Sequence, residues 1–320
     1  MQAWRLSAAE HERWDSFVTQ ADNGTLLHTR RFLDYHGDRF VDCSLVIGDG
    51  PDRWFAVLPL AASKSDPEVA VSHPGATFGG LVTSAPQRAD RVRAALEAAF
   101  ANLWEAGYRS LIYRPQPAFL GRQPDAVALQ AMLALNAEIK PKSLFSMADL
   151  REPLRLSKGR KWGIGKARKV DLRVELDSSE ESYLAFYDVL QDCLDTRHGA
   201  EPLHSRDEFL DLRTRCAEDA VLAVALDAHG AIAAGSWLLR YQPRVWHTQY
   251  IASTPAGREH KAVDLLVHEV MARLHQQDAR VLSLGPSPGE GPLGIDEGLF
   301  NFKAGCGCGT EVQWELVLDV

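Results

Sequence analysis

The chain has 320 residues, 46% hydrophobic and 24% charged, the proportions of a soluble globular protein with room for one large core or two ordinary ones. Its 43 acidic and 35 basic residues leave a formal charge of -8, which excludes a surface that grips nucleic acid everywhere and confines any such contact to a local basic patch. Five cysteines, an odd number, argue against a secreted disulfide framework. The opening residues lack a signal-like apolar run, and no apolar stretch reaches the ~18 residues of a membrane span, so the expected location is the cytoplasm, with no membrane span.

Ser7 to Val18 starts with a capping serine and brings Trp14, Phe17 and Val18 to one face, which predicts a short helix closed by Asp22-Asn23-Gly24. His28 to Arg39 reads as a second helix. Val41 to Ile47 and Trp54 to Leu60 read as a hairpin across Gly48-Asp49-Gly50-Pro51-Asp52. Val69 to Ser72, the loop His73 to Gly80, and Leu81-Val82 continue a sheet up to Pro86. Val92, Leu96, Phe100, Leu103 and Trp104 then mark an amphipathic helix closed by Gly107, followed by the strand Ser110 to Tyr113, a helix near Asp125 to Leu135 and a strand near Ser143 to Asp149.

Residues 151 to 173 change the composition, with nine basic positions against Glu152 and Asp171. The domain boundary is placed just before them, giving domains 1–150 and 151–320. The run reads either as a solvated helix face or as a site for a phosphorylated donor or acceptor. The order of the first half then returns: strand Leu172 to Leu176, helices Ser179 to Thr196 and Ser205 to Cys216, and a hairpin of Val221 to Leu226 with Ile232 to Tyr241. Next come a strand Val245 to Ser253, the turn Thr254-Pro255-Ala256-Gly257, and a helix to about Gln277. The strand Arg280 to Leu284, a Gly/Pro loop, a short helix Glu297 to Ala304 and the strand Glu311 to Leu318 complete it. Both halves read as one α+β unit, used twice.

The unit Val245 to Gln277 is the functional focus. A turn followed by a helix start leaves backbone N–H groups that can hold an anion. Arg258, His260 and Lys261 stand beside it. This order resembles the GNAT acyltransferase superfamily, and the doubled chain resembles the FemABX-like tandem GNAT branch. The residues that carry the likeness are Asn23-Gly24-Thr25, Tyr35 to Phe40 and Ser72 to Leu81 in the first half. In the second they are Arg197-His198-Gly199, Pro202-Leu203-His204-Ser205, Gln249 to Ser253 and Glu297-Gly298-Leu299 with Lys303. The resemblance implies two tandem GNAT-like domains, each a mixed, mostly antiparallel sheet flanked by helices. It also implies a gap between Val245–Ser253 and Arg280–Leu284 that admits the donor. The donor implied is acetyl-CoA or another acyl-CoA, with its pyrophosphate held by Ser253, Gly257, Arg258, Glu259, His260 and Lys261. In GNAT enzymes that turn carries small residues where Lys261 and Val263 stand here.

Acyl transfer to an amine needs a proton acceptor, an aligned donor and hydrogen bonds to the carbonyl oxygen as it gains charge. Histidine suits the first near neutral pH, and His73, His198 and His204 are candidates, with Tyr250 as the acid that protonates a leaving thiolate. Arg197, His247, Gln249, Glu297 and Lys303 are candidate substrate contacts. Each also has an ordinary structural reading, as a hydrogen-bonded core or surface residue or, for Glu297, as a favourable charge at a helix start. Gly285-Pro286-Ser287-Pro288-Gly289 matches a serine-hydrolase elbow in spelling, but the prolines and glycines after it forbid the helix an elbow needs. Cys306-Gly-Cys308 lacks a partner pair for zinc, and no metal is expected. The expected activity is N-acyl transfer to a small or sugar-linked amine, in cell-envelope or polysaccharide biosynthesis. An aminoacyl-tRNA donor, as in FemABX enzymes, and a non-catalytic binding protein are the alternatives.

Overall fold

A computed structural model describes residues 1–84, 88–123, 125–291 and 293–319, with the backbone alone at His198. In chain order the elements are β1 (Gln2–Arg5), α1 (His11–Gln20), α2 (Arg30–Leu33), β2 (Leu45–Gly48), β3 (Trp54–Leu58), β4 (Ala61–Ala62), β5 (Val69–Val71), β6 (Val82–Thr83), α3 (Ala89–Glu105), β7 (Ser110–Tyr113), α4 (Val127–Ala134) and β8 (Glu138–Asp149). They continue with α5 (Lys158–Arg168), β9 (Arg173–Leu176), α6 (Glu180–His198), α7 (Arg206–Arg215), β10 (Ala220–Leu226), β11 (Ile232–Gln242), β12 (Val245–Ser253), α8 (Pro255–Glu259), α9 (Ala262–Gln276), β13 (Val281–Pro286), α10 (Glu297–Gly305) and β14 (Gly309–Asp319). Pro86 and Pro292 lie outside the described residues.

The chain forms two compact units, residues 1–144 with 311–320 and residues 145–310. The last strand, read with the second half from sequence, folds in the first unit. Leu316 pairs with Tyr113 and Leu318 with Leu111 on β7, and both leucines join the first unit's core. Alternation of apolar and polar residues locates a strand but carries no information about which of two cores it enters.

In the first unit β1-β2-β3-β6 form one sheet, and β4, β5, β7 and β14 lie in order beside the first part of β8. The helix expected over His28 to Arg39 is α-helical from Arg30 to Leu33 and goes on as 3-10 turns over Asp34–Arg39, kinked at Gly37, whose φ is 51°. The strand expected from Val41 begins at Leu45, and Val41 itself is exposed. α3 buries Val92, Ala95, Leu96, Ala99 and Leu103, one face at helical spacing, against the β2–β3 core.

In the second unit the order is the last part of β8, then β13-β12-β11-β10-β9. One face packs on α5 and α9: Ile164 and Ala167 from α5, and Leu265, Leu266, Val270 and Met271 from α9, meet Trp246, Leu238 and Leu282. Gly163 makes the close approach of α5 possible, since a Cβ there would fall 1.9 Å from Asp264 Oδ2. The other face meets α6, where Gly235 lets the Phe186 ring lie against the strand; a Cβ at Gly235 would be 2.3 Å from that ring.

Candidate active site

β12 and β13 are parallel neighbours for only three positions, Val245 with Val281, Trp246 with Leu282 and His247 with Ser283. Beyond them β12 runs on to Ser253 and β13 to Pro286 without pairing to each other among the described residues, so the gap implied by the resemblance is present. Within β12 the register against β11 jumps from Trp237 with Tyr250 to Leu238 with Thr248, which makes Gln249 the extra residue of a bulge. Because Trp237 and Leu239 share a face, their partners Tyr250 and His247 share one too. The bulge thus sets both side chains of the sequence motif on one side of the sheet.

At the fork, His247 is fully enclosed and its ring stacks on Tyr241 at 4.9 Å. His247 Nδ1 lies 3.1 Å from Ser283 Oγ, which also accepts from the Gly285 amide. Burial, and then the charge of Lys303, push the imidazole down to about 3, so it is neutral. Lys303 reaches the same place from α10. Its Nζ donates to the carbonyls of Gly285 at 3.0 Å and Pro286 at 2.6 Å, both on the part of β13 that has left β12. The ammonium is buried with no carboxylate against it among the described residues, and desolvation lowers it to about 8. One of its three donors has no protein acceptor among the described residues.

Further along β12, His204 and Tyr250 form a pair. The loop between α6 and α7 is held by the left-handed Gly199 at one end and by the Ser205–Glu208 capping box at the other. Tyr250 Oη accepts the His204 amide at 3.3 Å and lies 2.7 Å from His204 Nδ1; with the ring proton on Nδ1 the oxygen accepts both and its own proton is free for a ligand. Tyr187 Oη donates to the His204 carbonyl at 3.0 Å. Trp237 holds the pair, edge-on to His204 and stacked on Tyr250, and Phe209, itself packed by Tyr183, Phe186 and Tyr187, backs that indole. Burial raises the Tyr250 phenol to about 12 and keeps it protonated.

The helix start after β12 differs from an open anion cradle. Thr254 Oγ1 accepts the Gly257 amide at 3.0 Å and the Thr254 carbonyl accepts the Arg258 amide at 3.0 Å. Pro255 has no N–H. A Cβ on Gly257 would fall 1.9 Å from the Ala233 carbonyl oxygen, so this glycine serves contact with β11. Lys261, at φ 61°, caps α9, and Asp264 in the first turn of α9 already brings a carboxylate there, ion-paired with Arg160. Ser253 and Arg258 nevertheless line a cleft of about 330 Å³ with Asp192, Cys193 and Thr196 of α6, and Arg258 Nη1 donates to the Ser253 carbonyl at 2.9 Å. Glu259 is exposed and His260 is half-buried beside the cleft-lining segment.

Other predicted residues stand apart. Arg197 and Glu297 are exposed at helix ends, Glu297 in the first turn of α10 as a helix-start charge. The side chain of His198 lies outside the described residues. His73 belongs to the first unit, where it is buried at φ 41° with Nδ1 unpartnered and its ring 5.0 Å from that of His36. Ser287 is wholly enclosed and followed by loop, which leaves no elbow. Cys306 and Cys308 are raised to about 12 by burial and stay as thiols. Sequence reasoning missed Ser283 and Thr254; a hydroxyl at each end of the fork was the available signal.

Among the described residues of the first unit the strands pair differently. There the strand before the long helix, β6, pairs with β3, while β5 lies parallel on β7, Val69 with Ser110 through Val71 with Ile112.

The family model described as "Acetyltransferase (GNAT) domain" matches residues 156–303. Among curated proteins no relative matches. The solved structure of FemX is 13% identical over 100% of this chain and 98% of its own, with a TM-score of 0.73. L-PGS from Bacillus licheniformis is 12% identical over 97% and 91%, TM-score 0.66. A tandem GNAT protein from the clavulanic acid biosynthesis pathway is 14% identical over 99% and 98%, TM-score 0.55. At such identities the structural likeness is one of fold, and it extends over both units. Residues 156–303 thus match the GNAT acetyltransferase domain, and the α+β fold of both units is similar to that of FemX and of the tandem GNAT protein.

Proposed function

We propose that the second unit transfers an acyl group from a carrier to an amino nitrogen at the β12–β13 fork. The observation that carries this reading is the buried Lys303 ammonium on the carbonyls of the diverging strand, beside neutral His247. In the transfer, the amine nitrogen attacks the acyl carbon, the bond from carbon to the carrier's sulfur or oxygen breaks, and the nitrogen's proton leaves. Lys303 is the group to receive the charge that grows on the carbonyl oxygen, in a dry setting where one cation counts for much more than in water. Tyr250 gives its proton to the leaving sulfur or oxygen, while His204 takes on Nε2 the proton that the nitrogen loses and returns one from Nδ1 to the Tyr250 oxygen, so that the protons balance. The acceptor is an amine on a small or sugar-linked molecule, and cell-envelope or polysaccharide synthesis is the setting proposed.

The first reading of the donor is acetyl-CoA or another acyl-CoA, with Ser253 and Arg258 at the cleft beside α6. The test is calorimetry with acetyl-CoA and CoA: affinity in the micromolar range that Arg258→Ala weakens supports it, and no heat at millimolar ligand removes it. A second reading, an aminoacyl ester of tRNA, is favoured by the occupied helix start, where Thr254 takes the Gly257 amide and Asp264 puts a negative charge in the first turn of α9. Loss of transfer on RNase treatment selects it.

A further inference from the structure

The basic run noted in the sequence forms the outer face of α5. Lys158, Lys161, Trp162, Gly165, Lys166 and Lys169 recur at three- and four-residue spacing, which puts them on one stripe of the helix. The opposite side, Gly163, Ile164 and Ala167, is buried against α9. Among the described residues no carboxylate pairs with any of the four lysines. The arginines of the helix, by contrast, are spent on fixing it: Arg160 pairs with Asp264, and Arg168 with Glu269 at 2.8 Å. No acidic residue occurs between Lys158 and Lys169, in a chain whose overall charge is -8. The stripe is therefore a rigid row of unneutralised cations.

Trp162 stands at its centre and is 61% exposed. A tryptophan of that exposure on a well-packed helix has given up most of its burial. Gly165, one turn on, has open space where a side chain would stand, so nothing from that position covers the indole. Lys166 Nζ is 5.7 Å and Lys261 Nζ 6.0 Å from the ring centre. Lys261 also connects the stripe to the segment that follows the fork, eight residues after Ser253.

We infer that this face of α5 docks a single-stranded nucleic acid, its phosphates on Lys158, Lys161, Lys166, Lys169 and Lys261 and a base stacked on Trp162. The inference rests on the aminoacyl-tRNA reading of the donor and names the surface of this chain that receives it. Lysine ammoniums from Lys158 to the C-capping Lys169, eleven helical steps or about 16 Å, match a few nucleotides of backbone, and an exposed aromatic among cations is the platform that holds a base without reading its identity. An anionic lipid surface shares the charge. It also calls for an apolar band to enter the headgroup layer, and the stripe offers one aromatic among lysines and a glycine.

The test uses the full chain and a fluorescein-labelled single-stranded RNA oligonucleotide, with anisotropy read across a salt series. The variant carrying Lys158→Gln, Lys161→Gln, Lys166→Gln and Lys169→Gln is expected to lower the steepness of log affinity against log salt by about 3, at roughly 0.7 per lost phosphate contact. Trp162→Ala is expected to weaken binding roughly tenfold with the salt slope unchanged, and RNA is expected to quench Trp162 fluorescence. Circular dichroism identical to the parent keeps either loss from being one of folding. An unchanged slope in the lysine variant, or capture by phosphatidylglycerol vesicles that the lysine variant loses while RNA affinity stays, overturns the inference. RNA binding that behaves as expected without any aminoacyl transfer sinks the donor reading and leaves the docking face standing. Transfer from acyl-CoA by a chain with no RNA affinity removes the docking face and leaves the fork standing.

Discussion

The Tyr250 hydroxyl lies 2.7 Å from His204 Nδ1, joining a strand residue to a loop residue 46 positions away in sequence. Tyr250→Phe keeps the ring in its aromatic cage and removes only the proton and the acceptor. We expect a fall in kcat of ~100-fold, the lower end for general acid–base catalysis, with a stability loss of about 1 kcal/mol. Steady-state rates and urea melts on Tyr250→Phe, His204→Asn and the double variant measure both. Full activity in Tyr250→Phe would remove the pair from the mechanism.

Lys303 gives the reaction an alkaline limit. Its charged form is the useful one and burial has brought it to about 8, so the rate should fall as pH rises through that value. Lys303→Met should lower kcat ~100- to 1000-fold, as removal of one oxyanion donor does, and should abolish the alkaline limb of what activity is left. A limb that persists in Lys303→Met belongs to another group.

Gly257 separates packing from ligand binding. Since its Cβ would meet the Ala233 carbonyl, Gly257→Ala should cost about 3 kcal/mol of stability, at the upper end for overpacking. Thermal melts read this without any ligand. Unchanged melting combined with lost donor affinity would mean that the glycine faces the carrier instead.

Acid should loosen the fold through its buried imidazoles. Burial lowers His28 to about 4 and both His73 and His247 to about 3, from 6.5. A folded-state value below the unfolded one means that the unfolded chain takes the proton first. The stability is complete above pH 6.5 and is lost as pH falls from there toward the folded values, by up to ~1.4 kcal/mol per pH unit for each histidine. His73→Asn, with a side chain that accepts the left-handed backbone, should flatten the loss between pH 6 and 4 by ~1.4 kcal/mol per unit. Urea midpoints across that range decide it.

The strand, turn and helix from Val245 to Gln276 were readable because β-branched and aromatic runs, a Thr-Pro-Ala-Gly turn and helical apolar spacing are all local signals. The tandem α+β order was readable for the same reason. The sequence also named both members of the His204–Tyr250 pair, and Lys303 and His247, though as separate candidates. Their pairing was out of reach: it depends on a single extra residue, Gln249, whose bulge sets the facing of Tyr250, and nothing local distinguishes a bulge from a regular strand. Glycine suggested an open cradle, whereas Gly257 is there for a neighbouring carbonyl and the capping bond comes from Thr254. The place of β5 on β7 was equally hidden, since short strands such as Val69–Val71 do not announce their neighbours.

The route of β14 governs how the chain reaches its native state. Residues 145–310 form an uninterrupted segment that can complete its own core as soon as it is made, while the first unit holds β7 with an unmatched edge until Gly309–Asp319 arrives. During synthesis the earlier-made unit is thus the later to mature. A chain cut before residue 311 would keep a complete fork in residues 145–310 and a first unit whose β7 has a bare, sticky edge.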